Sequence, residues 1–150
     1  MTEYDPELKY LKQFTPNACG SIAYLHVVLN SLNKVKINKN SFLENFTAET
    51  KNMNAQDAGK FLDGSNDFQK LHKTGSNIHD NSNIGDSDVN HFVAYTNVNS
   101  KTYLLDGRAK GPVSVEECPE SSFLNSALKH LSANINRDKP VSALIMFAKQ

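Results

Sequence analysis

The sequence predicts an α+β fold in which helices pack on an antiparallel sheet. Helical apolar spacing dominates the first half of the 150-residue chain, strand-like runs follow, and a further helix and strand come last. Helices and strands do not alternate in the regular order that a parallel sheet requires. A chain of this length can bury a core of its own, so we interpret residues 1–150 as a single domain.

The helices are predicted from apolar residues that recur three or four positions apart. The first starts at Cys19 and continues to about residue 33, with one face formed by Ile22, Leu25, Leu29 and Leu32. Shorter helices follow Ser41 and Asn54, which are good N-caps, and the second is interrupted at Gly64 before it continues. Residues 121–135 predict a last helix whose inward face comprises Phe123, Leu124, Leu128 and Leu131.

Two strand-like runs, residues 91–97 and 102–108, are joined by a four-residue loop and predict a β-hairpin. A third run, residues 140–148, is apolar in its middle and predicts a buried strand near the C-terminus. Residues 73–90 contain many Gly, Ser and Asn residues and predict an irregular segment before the hairpin. Segments of this length without regular structure are usually functional or disordered.

Composition excludes several classes of function. Lys plus Arg and Asp plus Glu number 16 each, so no net charge indicates nucleic acid or a membrane surface as a partner. The two cysteines are 99 positions apart without a CxxC pair, and His72 and His79 lack a matching ligand pair, so we expect no metal site and no cofactor. The N-terminus does not resemble a signal peptide, which predicts free thiols in a reducing compartment.

The residues around Cys19 predict a reactive thiol. A cysteine in the first turn of a helix lies at the positive end of the helix dipole, near backbone N–H groups that lack helical partners. Both favour the thiolate, which is the nucleophilic form. Gln13, six positions earlier, adds a neutral donor that could stabilise an oxyanion. The alternative from these residues alone is a buried structural cysteine. We interpret Cys118, which precedes Pro119, as incidental.

His91 and Asp106 supply the rest of a candidate catalytic set. His91 opens the first predicted strand and Asp106 closes the second, so the hairpin would bring them to the same edge. A carboxylate there could orient the imidazole, and the imidazole could take the thiol proton. Alternatively, His91 is a surface histidine and Asp106 belongs to an ordinary Asp-Gly turn. His26, beside the apolar face of the first helix, is interpreted as a core histidine rather than a second base.

Three motifs together resemble the ubiquitin C-terminal hydrolase family. They are Gln13-x-x-x-Asn17-Ala18-Cys19-Gly20 with His26 following, His91-Phe92, and Tyr103-x-Leu105-Asp106-Gly107-Arg108. The intervals of 6 residues from Gln to Cys and 15 from His to Asp also fit, and the resemblance extends from about Leu11 to the C-terminus. Family members generally carry a further portion before the Gln motif, so this chain looks N-terminally shortened.

The resemblance implies a papain-like cysteine protease fold and a role for each residue of the motifs. Cys19 would be the nucleophile, His91 the base, Asp106 the residue that orients His91, and Gln13 an oxyanion donor. Asn17 would contribute to substrate binding. Residues 73–90 would form the crossover loop over the cleft, where Asp86 and Asp88 would attract the arginine-bearing tail of ubiquitin.

The implied function is thiol-dependent hydrolysis of ester, thioester, amide or peptide bonds at the C-terminal glycine of ubiquitin. The alternative is a ubiquitin-binding module with impaired catalysis. A cysteine hydrolase for an unrelated small amide explains the residues less well, because it leaves the Leu-Asp-Gly-Arg turn unexplained. We expect a monomer in the cytoplasm, with the nucleus as a second compartment, and ubiquitin as the partner.

Overall fold

The computed structural model describes residues 4–78 and 91–134. It contains five α-helices, three strands and a short 3-10 turn in these ranges. The helices are α1 Cys19–Leu29, α2 Phe42–Thr50, α3 Ala55–Asp63, α4 Asn66–Ile78 and α5 Phe123–Asn134. The strands are β1 Ala94–Val98, β2 Lys101–Leu105 and β3 Val113–Glu117, and the 3-10 turn is Glu120–Ser122. The predicted α+β architecture is confirmed for the described residues.

The sheet is antiparallel, with strand order β1-β2-β3. β1 and β2 form the predicted hairpin, in which Ala94 pairs with Leu105 and Val98 with Lys101. Its two turn residues, Asn99 and Ser100, both have positive φ, at 48° and 61°. Such a left-handed pair matches the right-handed twist of the strands and favours a tight two-residue turn. The open end of the hairpin therefore lies beyond the Ala94–Leu105 pair, where the chain places His91 and Asp106.

Helix α1 lies between two hydrophobic clusters. Its Ile22, Leu25 and Leu29 pack with α2, α3 and α4 in the first cluster, which also contains Phe46 and Leu62. On its other side, α1 faces a second cluster built from the N-terminal segment and the hairpin: Leu8, Tyr10, Ala94, Tyr103 and Leu105. Because Cys19 is the first residue of α1, this packing fixes the direction from which the thiol is presented.

Several predicted boundaries were wrong, and each has a physical reason. α1 ends at Leu29 rather than near residue 33, because the Asn30 side chain caps it and pairs with the Lys9 backbone. The predicted irregular segment begins later than expected, since α4 continues through Ile78. Residues 79–90 and the strand predicted at 140–148 lie outside the described residues. Strand β3 was not predicted, because its side chains show no alternation of buried and exposed positions.

The predicted inward face of α5 was also wrong. Ser126 and Ala127 are the buried residues of the helix, whereas Leu124 and Leu128 are exposed and Phe123 and Leu131 are only partly buried. The small Ser126 and Ala127 side chains let the helix backbone approach the sheet closely. A hydrogen bond of 2.9 Å between Tyr95 Oη and His130 Nδ1 ties this side of the helix to β1.

Candidate active site

Cys19 is the first residue of α1, at the N-terminus of the helix. Ala18 precedes the helix and provides no side-chain cap, and Asn17 adopts a left-handed backbone with φ of 56°. Asparagine tolerates this conformation better than most residues. The first backbone N–H groups of a helix have no intrahelical acceptor, so those beside Cys19 are placed to bind a negative charge. The thiol itself is buried, with 6% of the residue surface exposed.

His91 and Asp106 meet at the open end of the hairpin, as predicted. His91 Nε2 lies 2.8 Å from Asp106 Oδ2, and the side chains are 32% and 26% exposed. The other carboxylate oxygen, Oδ1, accepts a hydrogen bond of 2.9 Å from the backbone N–H of Arg108. One oxygen thus anchors the carboxylate in its own turn while the other orients the ring. Because Nε2 bonds to the carboxylate, Nδ1 is the ring nitrogen of His91 that points away from Asp106.

The thiol-bearing helix and the histidine segment are in direct contact. The Cβ position of Gly20, the residue after Cys19, lies 3.7 Å from Cδ2 of Phe92, the residue after His91. A side chain as small as a methyl group at Gly20 would therefore make an ordinary van der Waals contact with the Phe92 ring, which lies beside the first turn of α1. Phe92 remains 53% exposed, so this junction is at the protein surface. Neighbours of the predicted nucleophile and base are thus brought together by tertiary packing.

Gln13 lies beside the same helix and the Asp106 turn. Its backbone N–H donates to Gly107 O at 2.9 Å. A Cβ on Gly107 would approach Ile22 Cγ2 to 2.7 Å and Gln13 Cβ to 3.1 Å, distances that real Cβ atoms rarely or never reach. Gly107 is therefore required for this close approach. Its backbone joins the turn that carries Asp106, the segment that carries Gln13 and the helix that carries Cys19.

Two residues that sequence reasoning missed, Tyr10 and Lys12, hold the Asp106 turn. The Tyr10 hydroxyl lies 2.7 Å from Asp106 O and 2.9 Å from Ala109 O. Lys12 Nζ donates to Arg108 O and Ala109 O, both at 2.7 Å. Burial, and secondarily the Asp106 carboxylate, raise the Tyr10 pKa to about 12, so the phenol stays protonated and able to donate. In the sequence, only the position of Tyr10 and Lys12 just before Gln13 indicated that they lie near the site.

His26 is a core histidine, as expected. It is fully buried and stacks on Tyr10 with ring centroids 5.2 Å apart. Its Nε2 accepts a hydrogen bond of 2.9 Å from the Leu11 backbone N–H. Burial lowers its pKa to about 4, so the ring is neutral near pH 7. The ring is therefore buried, neutral and bonded to the backbone, and within residues 4–78 and 91–134 no carboxylate hydrogen-bonds to it, so it does not serve as a second base.

The remaining predicted residues are placed as follows. Asn17 is exposed on the loop before α1, while Asp86 and Asp88 lie outside the described residues. Cys118 follows β3, and its Sγ lies 3.2 Å from Thr102 Oγ1, on the strand beside the turn end of the hairpin. It is therefore at the opposite end of the hairpin from His91. Within residues 4–78 and 91–134, no three His, Cys, Asp or Glu side chains form a metal-binding group.

Comparison with known proteins identifies the family. The family model for ubiquitin carboxyl-terminal hydrolase, family 1, matches residues 2–136. Ubiquitin carboxyl-terminal hydrolase 3 of Arabidopsis thaliana is 30% identical over 145 residues, which cover 91% of this chain and 62% of that protein. Ubiquitin carboxyl-terminal hydrolase isozyme L1 of Rattus norvegicus is 32% identical over 128 residues, 85% of this chain and 56% of that protein.

Solved structures agree on the fold. The catalytic domain of Trichinella spiralis UCH37, determined with bound ubiquitin vinyl methyl ester, superposes with a TM-score of 0.68 at 22% identity. That match covers 94% of this chain and 64% of the other. The chain thus spans about 55 to 65% of the length of these relatives. The family model matches most of the chain, and we conclude that it belongs to family 1 of the ubiquitin carboxyl-terminal hydrolases, with their papain-like α+β fold.

Proposed function

We propose that this protein is a cysteine hydrolase that cleaves bonds at the C-terminal glycine of ubiquitin. The observation that carries the proposal is the 2.8 Å hydrogen bond between His91 Nε2 and Asp106 Oδ2, in a chain of this family. A histidine oriented by a carboxylate can take a thiol proton at its other ring nitrogen. The contact between Gly20 and Phe92 supports Cys19 as the source of that proton.

In the proposed reaction, His91 takes the Cys19 proton and the thiolate sulfur attacks the glycine carbonyl carbon. The carbonyl oxygen becomes an oxyanion, held by the Cys19 backbone N–H and the Gln13 side chain. The carbon–leaving group bond then breaks as His91 returns its proton to the departing amine, alcohol or thiol. A thioester to Cys19 remains. His91 next deprotonates a water molecule, which attacks the thioester, and the ubiquitin carboxylate and the thiol are released.

Covalent capture tests this proposal. Incubation with ubiquitin vinyl methyl ester should add one ubiquitin to the wild type, as read by intact-protein mass spectrometry. Cys19→Ala should abolish both the adduct and hydrolysis of a fluorogenic ubiquitin amide, and it should leave ubiquitin affinity largely intact. Cys118→Ala is the matched control, since it removes the other thiol of the chain. An adduct that forms on Cys118, or none on either thiol, would contradict the assignment of the nucleophile.

A second candidate function is a ubiquitin-binding module with impaired catalysis. The same experiment separates the two functions. A binding module would show equal affinity for ubiquitin in the wild type and in Cys19→Ala, with no turnover by either.

The substrate preference is a further part of the proposal and depends on the part of the predicted segment 73–90 that follows α4, residues 79–90. A loop crossing the cleft would admit small leaving groups and short peptides more readily than ubiquitin–ubiquitin linkages. Asp86 and Asp88 would attract the basic tail of ubiquitin, so neutralising both should weaken binding more at low salt than at high salt. Equal rates on a small ubiquitin amide and on di-ubiquitin would argue against such a loop.

A further inference from the structure

Among the described residues, only one end of the Gln13 side-chain amide is held by a hydrogen bond. Its Nε2 donates one hydrogen bond, of 3.1 Å, to the backbone carbonyl of Thr15. Its Oε1 is buried and has no hydrogen-bond partner in the part of the chain that the structure describes. A buried acceptor without a partner does not stabilise the orientation of the group that carries it. The bond to Thr15 is therefore the contact that fixes the amide plane and leaves the second Nε2 hydrogen for another acceptor.

Thr15 is in turn tethered to the corner between α3 and α4. It is 7% exposed, and its hydroxyl donates to Asp63 Oδ1 at 2.7 Å. The same hydroxyl accepts a hydrogen bond of 3.2 Å from Gln69 Nε2, which also lies 2.9 Å from Asp63 O. The hydroxyl is thus used both as donor and as acceptor. Its bonds fix the peptide whose carbonyl holds Gln13.

The position of Asp63 is not explained by helix stability. It is the last residue of α3, and a negative side chain at a helix C-terminus is disfavoured by the helix dipole. Its short bond to Thr15 gives this acid a role in fixing the loop before α1. A series of hydrogen bonds, from Asp63 to Thr15 and from Thr15 to Gln13, therefore connects α3 in the helical core to the donor proposed for the oxyanion.

We propose that Thr15 and Asp63 are positioning residues that orient the Gln13 amide for oxyanion stabilisation. This inference rests on the proposed function in one respect, namely that Gln13 is an oxyanion donor. It extends that function by assigning the geometry of the donor to two residues outside the catalytic set. Neither residue touches the reacting atoms, so each acts only through Gln13.

Two small reagents separate this role from a general effect on the thiol. Acylation of Cys19 by p-nitrophenyl acetate passes through an oxyanion, whereas alkylation by iodoacetamide displaces iodide without one. Thr15→Val keeps the side-chain shape and removes the hydroxyl. It should slow acylation about tenfold, a fraction of the effect of deleting an oxyanion donor, and should leave alkylation within about twofold of the wild type. Thr15→Ser should restore acylation. Peptide mapping assigns the label to Cys19.

A double-mutant cycle tests whether Thr15 acts through Gln13. Gln13→Ala alone should slow acylation by about two to three orders of magnitude. Adding Thr15→Val to Gln13→Ala should then have no further effect. Asp63→Ala should behave like Thr15→Val, whereas Glu49→Ala, which removes an exposed acid in the last turn of α2, should have no effect.

Independent, additive effects of Thr15→Val and Gln13→Ala would overturn the inference. Equal slowing of acylation and alkylation, or no acylation of Cys19 in the wild type, would also overturn it. Thermal unfolding shows whether each variant is folded. If Thr15→Val is not, the acylation rate of Thr15→Ser decides whether the hydroxyl is required. Failure of the wild type on ubiquitin substrates, with Cys19 acylation by the ester intact, would count against the proposed function alone.

Discussion

The regions around His26 and His91 contain the same side chain in opposite settings. His26 lies within α1, fully buried, stacked on Tyr10 and bonded to the Leu11 backbone. His91 lies at the open end of the hairpin, about one-third exposed, with a carboxylate oxygen at 2.8 Å. His26 belongs to α1, and His91 immediately precedes β1, which packs on α1, so proximity to the thiol-bearing helix does not distinguish the two residues.

The difference teaches that solvent access and a carboxylate partner, rather than the residue type, decide whether a histidine can do acid–base chemistry. Burial disfavours the charged imidazolium and lowers the His26 pKa to about 4, so this ring does not cycle between its charge states near neutral pH. His91 has a negative charge beside it that can stabilise an imidazolium as it forms. The following predictions test this contrast, beginning with the largest effect.

His91→Gln should lower kcat/KM for a ubiquitin amide by about four orders of magnitude, the loss typical of a disabled catalytic triad. The thermal stability should change little, because the His91 side chain is partly exposed. Steady-state kinetics and differential scanning calorimetry measure the two effects. A large loss of stability with residual activity would assign His91 the structural role that we give to His26.

Asp106→Asn should lower kcat by about three orders of magnitude, with a smaller effect on ubiquitin affinity. The amide can still accept the bond from the Arg108 N–H through Oδ1, but it presents an N–H group to His91 Nε2. The ring must then carry its proton on Nδ1, which leaves no lone pair there for the thiol proton. Single-turnover kinetics measure the loss in the catalytic step, and calorimetric titration measures the loss in ubiquitin affinity. An equal loss in both would contradict a role in orienting His91.

His26→Leu should cost about 3 kcal/mol of unfolding free energy, because it leaves the buried Leu11 N–H without its acceptor. Catalytic constants of the remaining folded protein should stay close to those of the wild type. Urea unfolding and kinetics on the same preparation provide the measurement. A variant of native stability that has lost turnover would place His26 in the mechanism.

The same residue predicts a pH dependence of stability. The folded pKa of His26, about 4, is lower than its ordinary value of 6.5, so the unfolded state binds more protons between these values. Stability from this group is fully present above pH 6.5 and is lost as the pH falls toward 4, by up to ~1.4 kcal/mol per pH unit. Urea unfolding from pH 5 to 7 should show this slope in the wild type and a smaller one in His26→Leu. Parallel slopes would refute it.

Tyr10→Phe should have the smallest effect, about 1 kcal/mol of unfolding free energy. The phenyl ring keeps the stack on His26, while the hydroxyl that contacts Asp106 O and Ala109 O is lost. Turnover should fall less than in Asp106→Asn, because Lys12 still holds the turn through Arg108 O and Ala109 O. Thermal unfolding and steady-state kinetics of the two variants, measured side by side, provide the comparison.

Local sequence patterns were sufficient for the elements that carry the site. The hairpin followed from two strand-like runs and a short polar loop, and its register places His91 near Asp106 as predicted. Helix α1 was predicted to start at Cys19, where the structure starts it. These features depend on the spacing of apolar side chains and on the residue types in turns, both of which can be read from consecutive residues.

Other features were decided by contacts between distant residues. β3 forms because β2 offers it a pairing edge, and α5 turns Ser126 and Ala127 toward the sheet although its larger apolar residues predicted another face. Tyr10 and Lys12 hold the Asp106 turn across almost 100 positions of sequence. No local sequence pattern predicts such a hydrogen bond, because its donor and acceptor meet only after the chain has folded.

The sequence by itself determined the α+β class, the candidate residues for thiol chemistry and the hairpin that brings His91 to Asp106. Only the tertiary structure decided how these residues are held. Gly107 packs closely against Ile22, Gln13 donates a hydrogen bond to Thr15, and Thr15 donates one to Asp63. The physical reason is that residue type sets which bonds a group can form, whereas burial and long-range packing set which of them it does form.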